Sequence, residues 1–237
     1  ERVEINLVGR RLEMATLRAM MDRADGGRGG VVDVIGPPGI GKSRVAREAA
    51  AVARSRQMAV YWTFCEAHAR DVPFGSVARL LRAATAVAGL SGEAARARVN
   101  QQAPDADPQD LLLLHDLLGV ADPDVPPPQI DPDARRRRLT ALIKTFAFTD
   151  AEAALYIIED AHWIDAASES MLAGLLTGIP GANAMVLITA RPEYDGALRR
   201  NPGVQTITLA PLVDSDAAVL LAELLGSDPS VGELAAI

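Results

Sequence analysis

The sequence has a single cysteine, a deficit of basic side chains and no long apolar run, and each of these shortages excludes a class of protein. The lone Cys65 rules out an internal disulfide and a cysteine-rich zinc site, and we expect it to be buried. With 24 basic against 31 acidic side chains, the net charge of −7 argues against direct nucleic-acid binding, because phosphate backbones need a basic surface. No apolar run approaches the ~20 residues that span a bilayer, and no signal peptide is recognisable. We therefore expect a cytoplasmic protein, or a cytoplasmic part of a larger one, without membrane contact.

What the sequence does contain is an alternation of strand and helix patterns. Hydrophobic residues make up 49% of its 237 positions, enough for a sizeable core in one large domain, or in one domain plus part of another. The predicted strands are 31–35, 58–64, 154–158, 185–190 and 204–209. The predicted helices are 11–25, 44–56, 74–88, 93–101, 109–118, 132–146, 166–177 and 214–225. The apolar character of the first two strands predicts a sheet covered on both faces, entered through a right-handed βαβ unit.

A glycine-rich loop joins the first of these strands to a helix. Its sequence is Gly36-Pro37-Pro38-Gly39-Ile40-Gly41-Lys42-Ser43. The glycines let the main chain wrap an anion, and the free N–H groups at the start of the helix face it. Lys42 can then reach the β- and γ-phosphates, and the Ser43 hydroxyl can ligate magnesium. The alternative is an ordinary glycine-rich turn, but the flanking strand and helix favour a nucleotide-phosphate site, to which we also assign Arg44.

Two acids follow the strand at 154–158. Open α/β sheets place their ligands at the carboxyl ends of strands, where Glu159 and Asp160 stand. We expect Glu159 to hold magnesium, through water, and Asp160 to orient or deprotonate an attacking water. Either acid could take the metal, and the alternative to a catalytic role is a cap on the next helix, for which Asp165 is the natural residue.

Arg191 ends a neighbouring strand at the same edge. It could sense the γ-phosphate there or form a surface ion pair, and Thr189 is a second candidate for polar sensing. Between the two strand ends, we expect His162 to be packed or capping rather than chemical, and Trp163 to anchor its segment by packing. The arginines at 135–138 lie on one helix and point in all directions. We favour the interpretation that they form a solvated face with acidic neighbours. The two alternatives are an arginine that reaches the γ-phosphate across an interface and contact with DNA.

Together these residues resemble the P-loop ATPase modules of the STAND class, which are related to the AAA and ORC/Cdc6 ATPases and occur in large LuxR-type regulators and in class III adenylate or guanylate cyclases. The segments that carry the resemblance are the phosphate loop, Leu7-Val8-Gly9-Arg10 with Glu13, Pro73-Phe74, Ile158-Glu159-Asp160-Ala161-His162-Trp163-Ile164-Asp165, Thr189-Ala190-Arg191-Pro192-Glu193 and Leu209-Ala210-Pro211-Leu212. They span nearly the whole chain.

The resemblance implies a fold. It is a three-layer α/β P-loop NTPase of the ASCE/AAA-like type, with a five-stranded parallel sheet in the order 5-1-4-3-2 and helices on both faces. A helical insertion at about 66–150 is expected between strands 2 and 3. The ATPase core would cover 1–212, and 213–237 would be the start of a truncated helical lid. Val8, Gly9 and Arg10 would lie near the adenine.

The resemblance also implies an activity. We expect a magnesium-dependent ATPase that acts as a regulatory switch, using ATP, ADP and Mg²⁺. The expected catalytic residues are Lys42, Glu159, Asp160 and Arg191, and the expected metal ligands are Ser43, Glu159 and Asp160. The expected partners are effector and sensor domains of the same polypeptide, together with nucleotide-dependent self-association. The rivals are a nucleotide-binding scaffold with negligible turnover and a P-loop kinase.

Overall fold

A computed structural model describes residues 7–146 and 152–225. The predicted end of the insertion at 147–150 and the predicted lid residues 226–237 lie outside these ranges. The strands are β1 (Gly30–Ile35), β2 (Ala59–Phe64), β3 (Ala154–Glu159), β4 (Ala184–Ala190) and β5 (Val204–Thr208). The helices are α1 (Arg11–Asp25), α2 (Lys42–Ser55), α3 (Gly75–Ala84), α4 (Gly92–Gln102), α5 (Pro108–Leu117), α6 (Pro132–Phe146), α7 (Ala166–Leu176) and α8 (Asp214–Leu225). Nowhere in the described ranges is a helix both long and apolar enough to cross a membrane.

The five strands form one parallel sheet in the order β2-β3-β4-β1-β5, which confirms the predicted order read from the other edge. Ile35 at the end of β1 lies opposite Ala190 of β4 and Thr208 of β5. Phe64 at the end of β2 lies opposite Glu159 of β3. The carboxyl ends therefore meet along one edge of the sheet, where α/β proteins place their ligands.

Helices cover both faces of the sheet and divide the core into two layers. Because side chains alternate along a strand, Leu155 and Ile157 of β3 pack against α1 and α2, whereas Ile158 packs toward α3 to α7. Each fully buried leucine or isoleucine of this kind contributes about 1.5–3 kcal/mol through removal from water. The three-layer α/β architecture expected from the sequence is confirmed.

Two features of the strands differ from the prediction of apolar strands covered on both faces. β2 is one of two edge strands and is mostly half-buried, with Phe64 46% exposed, because within the described residues β3 is its one neighbour in the sheet. Asp33 lies in the middle of β1 and is completely buried. A carboxylate in such a place requires a partner, and Arg199 supplies it.

The insertion between β2 and β3 contains α3 to α6, whose apolar faces share one core with α7 and the sheet. Asp131 caps α6 as the sequence indicates, accepting hydrogen bonds from the N–H groups of Asp133 and Ala134. The arginine run on α6 is paired with acids, since Arg135 contacts Asp116 and Arg138 contacts Asp110. The acidic neighbours expected of this helix are therefore present.

Candidate nucleotide-binding site

The loop between β1 and α2 has the backbone of an anion cradle. Gly39 and Gly41 have φ values of 77° and 104°, in the left-handed region that glycine adopts without strain. A Cβ at either position would meet nothing within 4 Å, so both face open space. Gly36 is packed instead, since a Cβ there would lie 2.7 Å from Ile40 Cγ2. The loop is thus held at its base and open above.

Lys42 lies at the first position of α2 and is only 7% exposed. Its Nζ donates to the carbonyl oxygens of Gly36 at 2.8 Å and Pro37 at 3.0 Å, so the ammonium lies inside the loop. Burial lowers the pKa of Lys42, while the nearby Asp160 raises it. The lysine therefore provides a partly desolvated positive group where phosphate oxygens would lie.

A cavity of about 420 Å³ opens between this loop and the ends of β3 and β4. It is lined by Pro38, Gly39, Gly41, Lys42, Ser43, Arg44, Arg47, Asp160, His162, Trp163 and Arg191. The structure thus brings Lys42, Ser43, Arg44, Asp160 and Arg191 together as the sequence predicts. Sequence reasoning missed Arg47, although its position one helical turn after Ser43 and Arg44 was a usable signal.

Asp160 reaches the cavity through an unusual backbone conformation. Its φ and ψ are 56° and 44°, a left-handed geometry that costs a non-glycine residue energy and clusters at functional sites. Its N–H donates to Thr189 Oγ1 at 3.0 Å, and Thr189 is 1% exposed. Thr189 therefore holds the Asp160 backbone, a contact the sequence did not predict. The Asp160 side chain is 44% exposed and available to a ligand.

Glu159 has different surroundings from its neighbour. It is 3% exposed, and its Oε2 accepts a hydrogen bond from Trp62 Nε1 on β2 at 3.1 Å. It does not line the cavity as Asp160 does. The division of metal-holding and water-orienting roles between the two acids stays a prediction.

The segment after Asp160 turns through a short 3-10 helix at Ala161–Trp163. His162 Nδ1 lies 3.9 Å from Asp160 Oδ1, and the imidazole packs against the Trp163 indole with ring centroids 5.2 Å apart. Burial lowers the pKa of His162, while the nearby Asp160 opposes that shift. The histidine is packed, as expected from the sequence.

Asp165 closes this segment and does more than cap α7. It is 2% exposed, and its carboxylate accepts hydrogen bonds from the N–H groups of Ser168 at 2.7 Å, Phe74 at 2.8 Å and Ser76 at 3.4 Å. The cap was predicted, whereas the bonds to the start of α3 were not. One carboxylate thus ties the segment beside the cavity to the helical insertion.

The loop after β4 is held by the buried acid of β1. Arg199 Nε lies 2.6 Å from Asp33 Oδ2, and the same guanidinium donates to the carbonyl oxygens of Arg191 at 3.2 Å and Pro192 at 3.0 Å. Burial raises the pKa of Asp33, and Arg199 opposes that rise. Sequence reasoning missed this pair, for which the one signal was an aspartate inside an apolar strand.

The segment before α1 touches the phosphate loop. Arg10 is 6% exposed, pairs with Glu13 at 3.2 Å and donates to the Ile40 carbonyl at 3.2 Å. Gly9 has φ 72°, and a Cβ there would lie 2.5 Å from Asp216 Oδ2 of α8. Arg10 therefore reaches the loop, while the expected contact of Val8, Gly9 and Arg10 with adenine stays a prediction.

The protein oxygens at the cavity can bind a magnesium ion only if a bound ligand supplies the remaining oxygens. Ser43 and Asp160 supply the hydroxyl and carboxylate that magnesium accepts. In the ranges 7–146 and 152–225, no three histidine, cysteine, aspartate or glutamate side chains come together as a metal cluster. Such a sparse set is typical of magnesium bound by one or two protein groups plus phosphate oxygens.

Comparison with known families decides the classification. Residues 6–188 match the model of the AAA ATPase domain, well over half of the chain. The chain belongs to the AAA ATPase domain family. This confirms the family resemblance seen in the sequence, and a site for nucleotide is what this AAA domain shares with its family.

Among curated proteins, this AAA domain is similar to an uncharacterized protein of Rhizobium meliloti (strain 1021). The two are 28% identical over 215 residues, which is 89% of this chain and 21% of the relative. The AAA domain therefore spans about one fifth of the length of that protein.

Three solved structures are also similar. A DNA replication initiation factor gives a TM-score of 0.53 at 10% identity, covering 98% of this chain and 57% of the other. Drosophila ORC bound to DNA gives 0.51 at 14%, covering 95% and 49%. A STAND protein with a tetratricopeptide repeat sensor from Pyrococcus horikoshii gives 0.46 at 19%, covering 97% and 27%. At such low identity, the first two likenesses establish the fold alone.

Proposed function

We propose that this AAA domain binds ATP with magnesium, hydrolyses it, and uses the difference between ATP and ADP to switch the state of attached domains. The observation that carries the proposal is the 420 Å³ cavity, which has Lys42 and the glycine loop on one wall and Asp160 and Arg191 on the other. A polyanion fits between a cationic cradle and a carboxylate only if a metal ion accompanies it, and that combination is a magnesium–nucleotide complex.

The loop wall performs binding. The N–H groups of Gly39 and of residues 41–43 would face the phosphates, the α2 dipole favours their charge, and Lys42 exchanges its two loop carbonyls for phosphate oxygens. Ser43 would hold magnesium directly and Glu159 through water, which leaves Asp160 for the attacking water. When bound, the ion neutralises charge on the β- and γ-phosphates. Positive charge at the rim of the cavity comes from Arg44 and Arg47. The adenine would lie near Val8, Gly9 and Arg10.

The opposite wall performs hydrolysis. Asp160 projects a half-exposed carboxylate into the cavity, where it orients a water and accepts its proton. Arg191 neutralises charge on the terminal phosphate as the bond to the leaving oxygen lengthens. His162 packs against Trp163 and contributes to the shape of the cavity.

The switch works through differential affinity, since a ligand shifts an equilibrium only as far as it prefers one state. ATP and ADP differ by the phosphate that Arg191 and Asp160 would face. Asp165 links the segment that follows Asp160 to α3, which gives a route to the helical insertion. The attached effector is a nucleotide cyclase or a helix-turn-helix domain, in keeping with a relative about four times as long as this chain. Nucleotide-dependent self-association belongs to the same proposal.

Single-turnover hydrolysis of radiolabelled ATP with magnesium tests the activity. We expect ADP to form with the wild-type chain and at least tenfold more slowly with Asp160→Asn, since general base catalysis contributes roughly 10²–10⁴-fold. Asp195→Asn is the matched control, because Asp195 is an exposed acid of the loop after β4. Tight ATP binding with no product, unchanged by Asp160→Asn, would make the domain a nucleotide-binding scaffold instead.

A further inference from the structure

The Arg191 side chain rests on an aromatic ring. Its Cζ lies 5.6 Å from the centroid of the Trp163 ring, within the range of a cation–π contact. Over the described parts of the chain, no carboxylate forms a hydrogen bond or ion pair with this guanidinium. Trp163 is half-buried and packs against the core, so it is a fixed surface. The indole face is therefore what holds the arginine side chain in place.

The main chain of Arg191 is held by different contacts from its side chain. Its carbonyl and that of Pro192 both accept hydrogen bonds from Arg199, which is anchored to the buried Asp33. The side chain itself stands in a wall between two cavities. One is the 420 Å³ nucleotide cavity, and the other has a volume of about 470 Å³. His162, Trp163 and Arg191 line both of them.

We propose that Trp163 is a positioning residue that holds Arg191 back until a terminal phosphate is present, and so sets the preference between ATP and ADP. The inference rests on the proposed function of the cavity. A γ-phosphate offers the guanidinium two charge-assisted hydrogen bonds, which outweigh contact with an indole face. ADP lacks that group and leaves the contact intact. The backbone N–H of Trp163 donates to the Asp160 carbonyl at 2.9 Å, so the ring that holds Arg191 and the catalytic acid belong to one turn of the chain.

Removal of the indole should then strengthen ATP binding. ATP must break the contact between Arg191 and Trp163 when it binds, whereas ADP leaves it intact. A variant without this contact should therefore bind ATP more tightly and ADP as before. We expect Trp163→Leu to raise the ATP affinity roughly two- to fivefold, the equilibrium value of an ordinary cation–π contact, with the ADP affinity unchanged. Trp163→Phe keeps the packing with a weaker cation–π surface and should give a smaller change in the same direction. A purely structural role would weaken both nucleotides together.

Fluorine NMR of the chain labelled with 5-fluorotryptophan tests the inference, because Trp62 and Trp163 are the two tryptophans. Trp163→Phe assigns the resonances. We expect a non-hydrolysable ATP analogue to shift the Trp163 resonance, ADP to leave it near its free position, and Arg191→Gln to remove the difference. Equal Trp163 shifts with both nucleotides, or a difference that survives in Arg191→Gln, would overturn the role of Trp163. Calorimetry on the same samples separates the two proposals. If neither the ATP analogue nor ADP bound to the chain, the nucleotide site itself would be overturned.

Discussion

The two walls of the cavity are built by different kinds of interaction. The loop wall is largely local: it consists of main-chain N–H groups, left-handed glycines and a lysine that bonds to carbonyls five and six residues away. Its contacts from farther along the chain are those of Arg10 with the Ile40 carbonyl and of the Gly36 N–H with the Ala190 carbonyl. The opposite wall depends on partners far apart in the chain. Asp33 and Arg199 are separated by 166 positions, and Asp165 and Phe74 by 91.

This difference separates binding from response. A wall made by its own backbone keeps its shape when distant parts of the molecule move. The position of the opposite wall depends on its contacts with β1 and α3, through Asp33 and Asp165, and changes when those contacts are lost. We infer that substitutions in the first wall alter affinity at constant stability, whereas substitutions in the attachments of the second alter stability and the fit around the terminal phosphate.

The largest expected effect is the loss of stability when the ion pair between Asp33 of β1 and Arg199 is removed. Arg199→Met leaves Asp33 buried without its partner and should lower the free energy of unfolding by about 3 kcal/mol, as for other broken buried ion pairs. Urea denaturation measures it. The control is Arg200→Met, whose pair with Asp195 is exposed and contributes within about 1 kcal/mol. Equal losses in the two variants would show that the buried pair does not hold the loop.

The same variant should change how stability depends on pH. Burial already raises the pKa of Asp33, and Arg199 opposes that rise, so its removal raises the folded-state pKa further. The folded state then binds a proton that the unfolded state has lost. The free energy of unfolding of Arg199→Met should therefore fall as pH rises from the ordinary aspartate range through the raised pKa. Parallel pH profiles for wild type and variant would contradict this.

The next effect belongs to the loop wall. Lys42→Ala removes a charged donor from the phosphates and should weaken ATP binding by about 2 kcal/mol, roughly 30-fold, with little loss of stability. Titration calorimetry measures the affinity. Lys144→Ala is the control, since this other lysine bonds to Thr177 on the exposed surface. The loop would not be the phosphate site if both variants bound ATP like the wild type.

The smallest effect compares a long-range cap with a local one. Asp165→Asn keeps the shape but removes the charge, and its NH2 group cannot accept the bond from the Ser76 N–H, so it should cost at least about 1 kcal/mol of stability. Asp131→Asn makes the same change at the exposed cap of α6, where asparagine caps as well as aspartate, and should cost only a few tenths. Thermal unfolding of the two variants distinguishes them. A larger loss for Asp131→Asn would reverse our comparison.

The sequence predicted nearly all residues of the loop wall, but only some of those that form the opposite wall. The strand–loop–helix pattern gave the phosphate loop, and strand ends gave the positions of Asp160 and Arg191. The family resemblance supplied the strand order. The partners that hold these residues escaped, because the pairing of Asp33 with Arg199, or of Glu159 with Trp62, follows from tertiary packing. The exposure of β2 escaped for the same reason, since an apolar strand looks alike in the middle and at the edge of a sheet.

A crystal structure of the chain with magnesium and a non-hydrolysable ATP analogue tests the central claim most directly. We predict the phosphates within hydrogen-bonding distance of the loop N–H groups and Lys42 Nζ, with the terminal phosphate facing Asp160 and Arg191. A nucleotide bound elsewhere, or a terminal phosphate turned away from Asp160, would contradict the account.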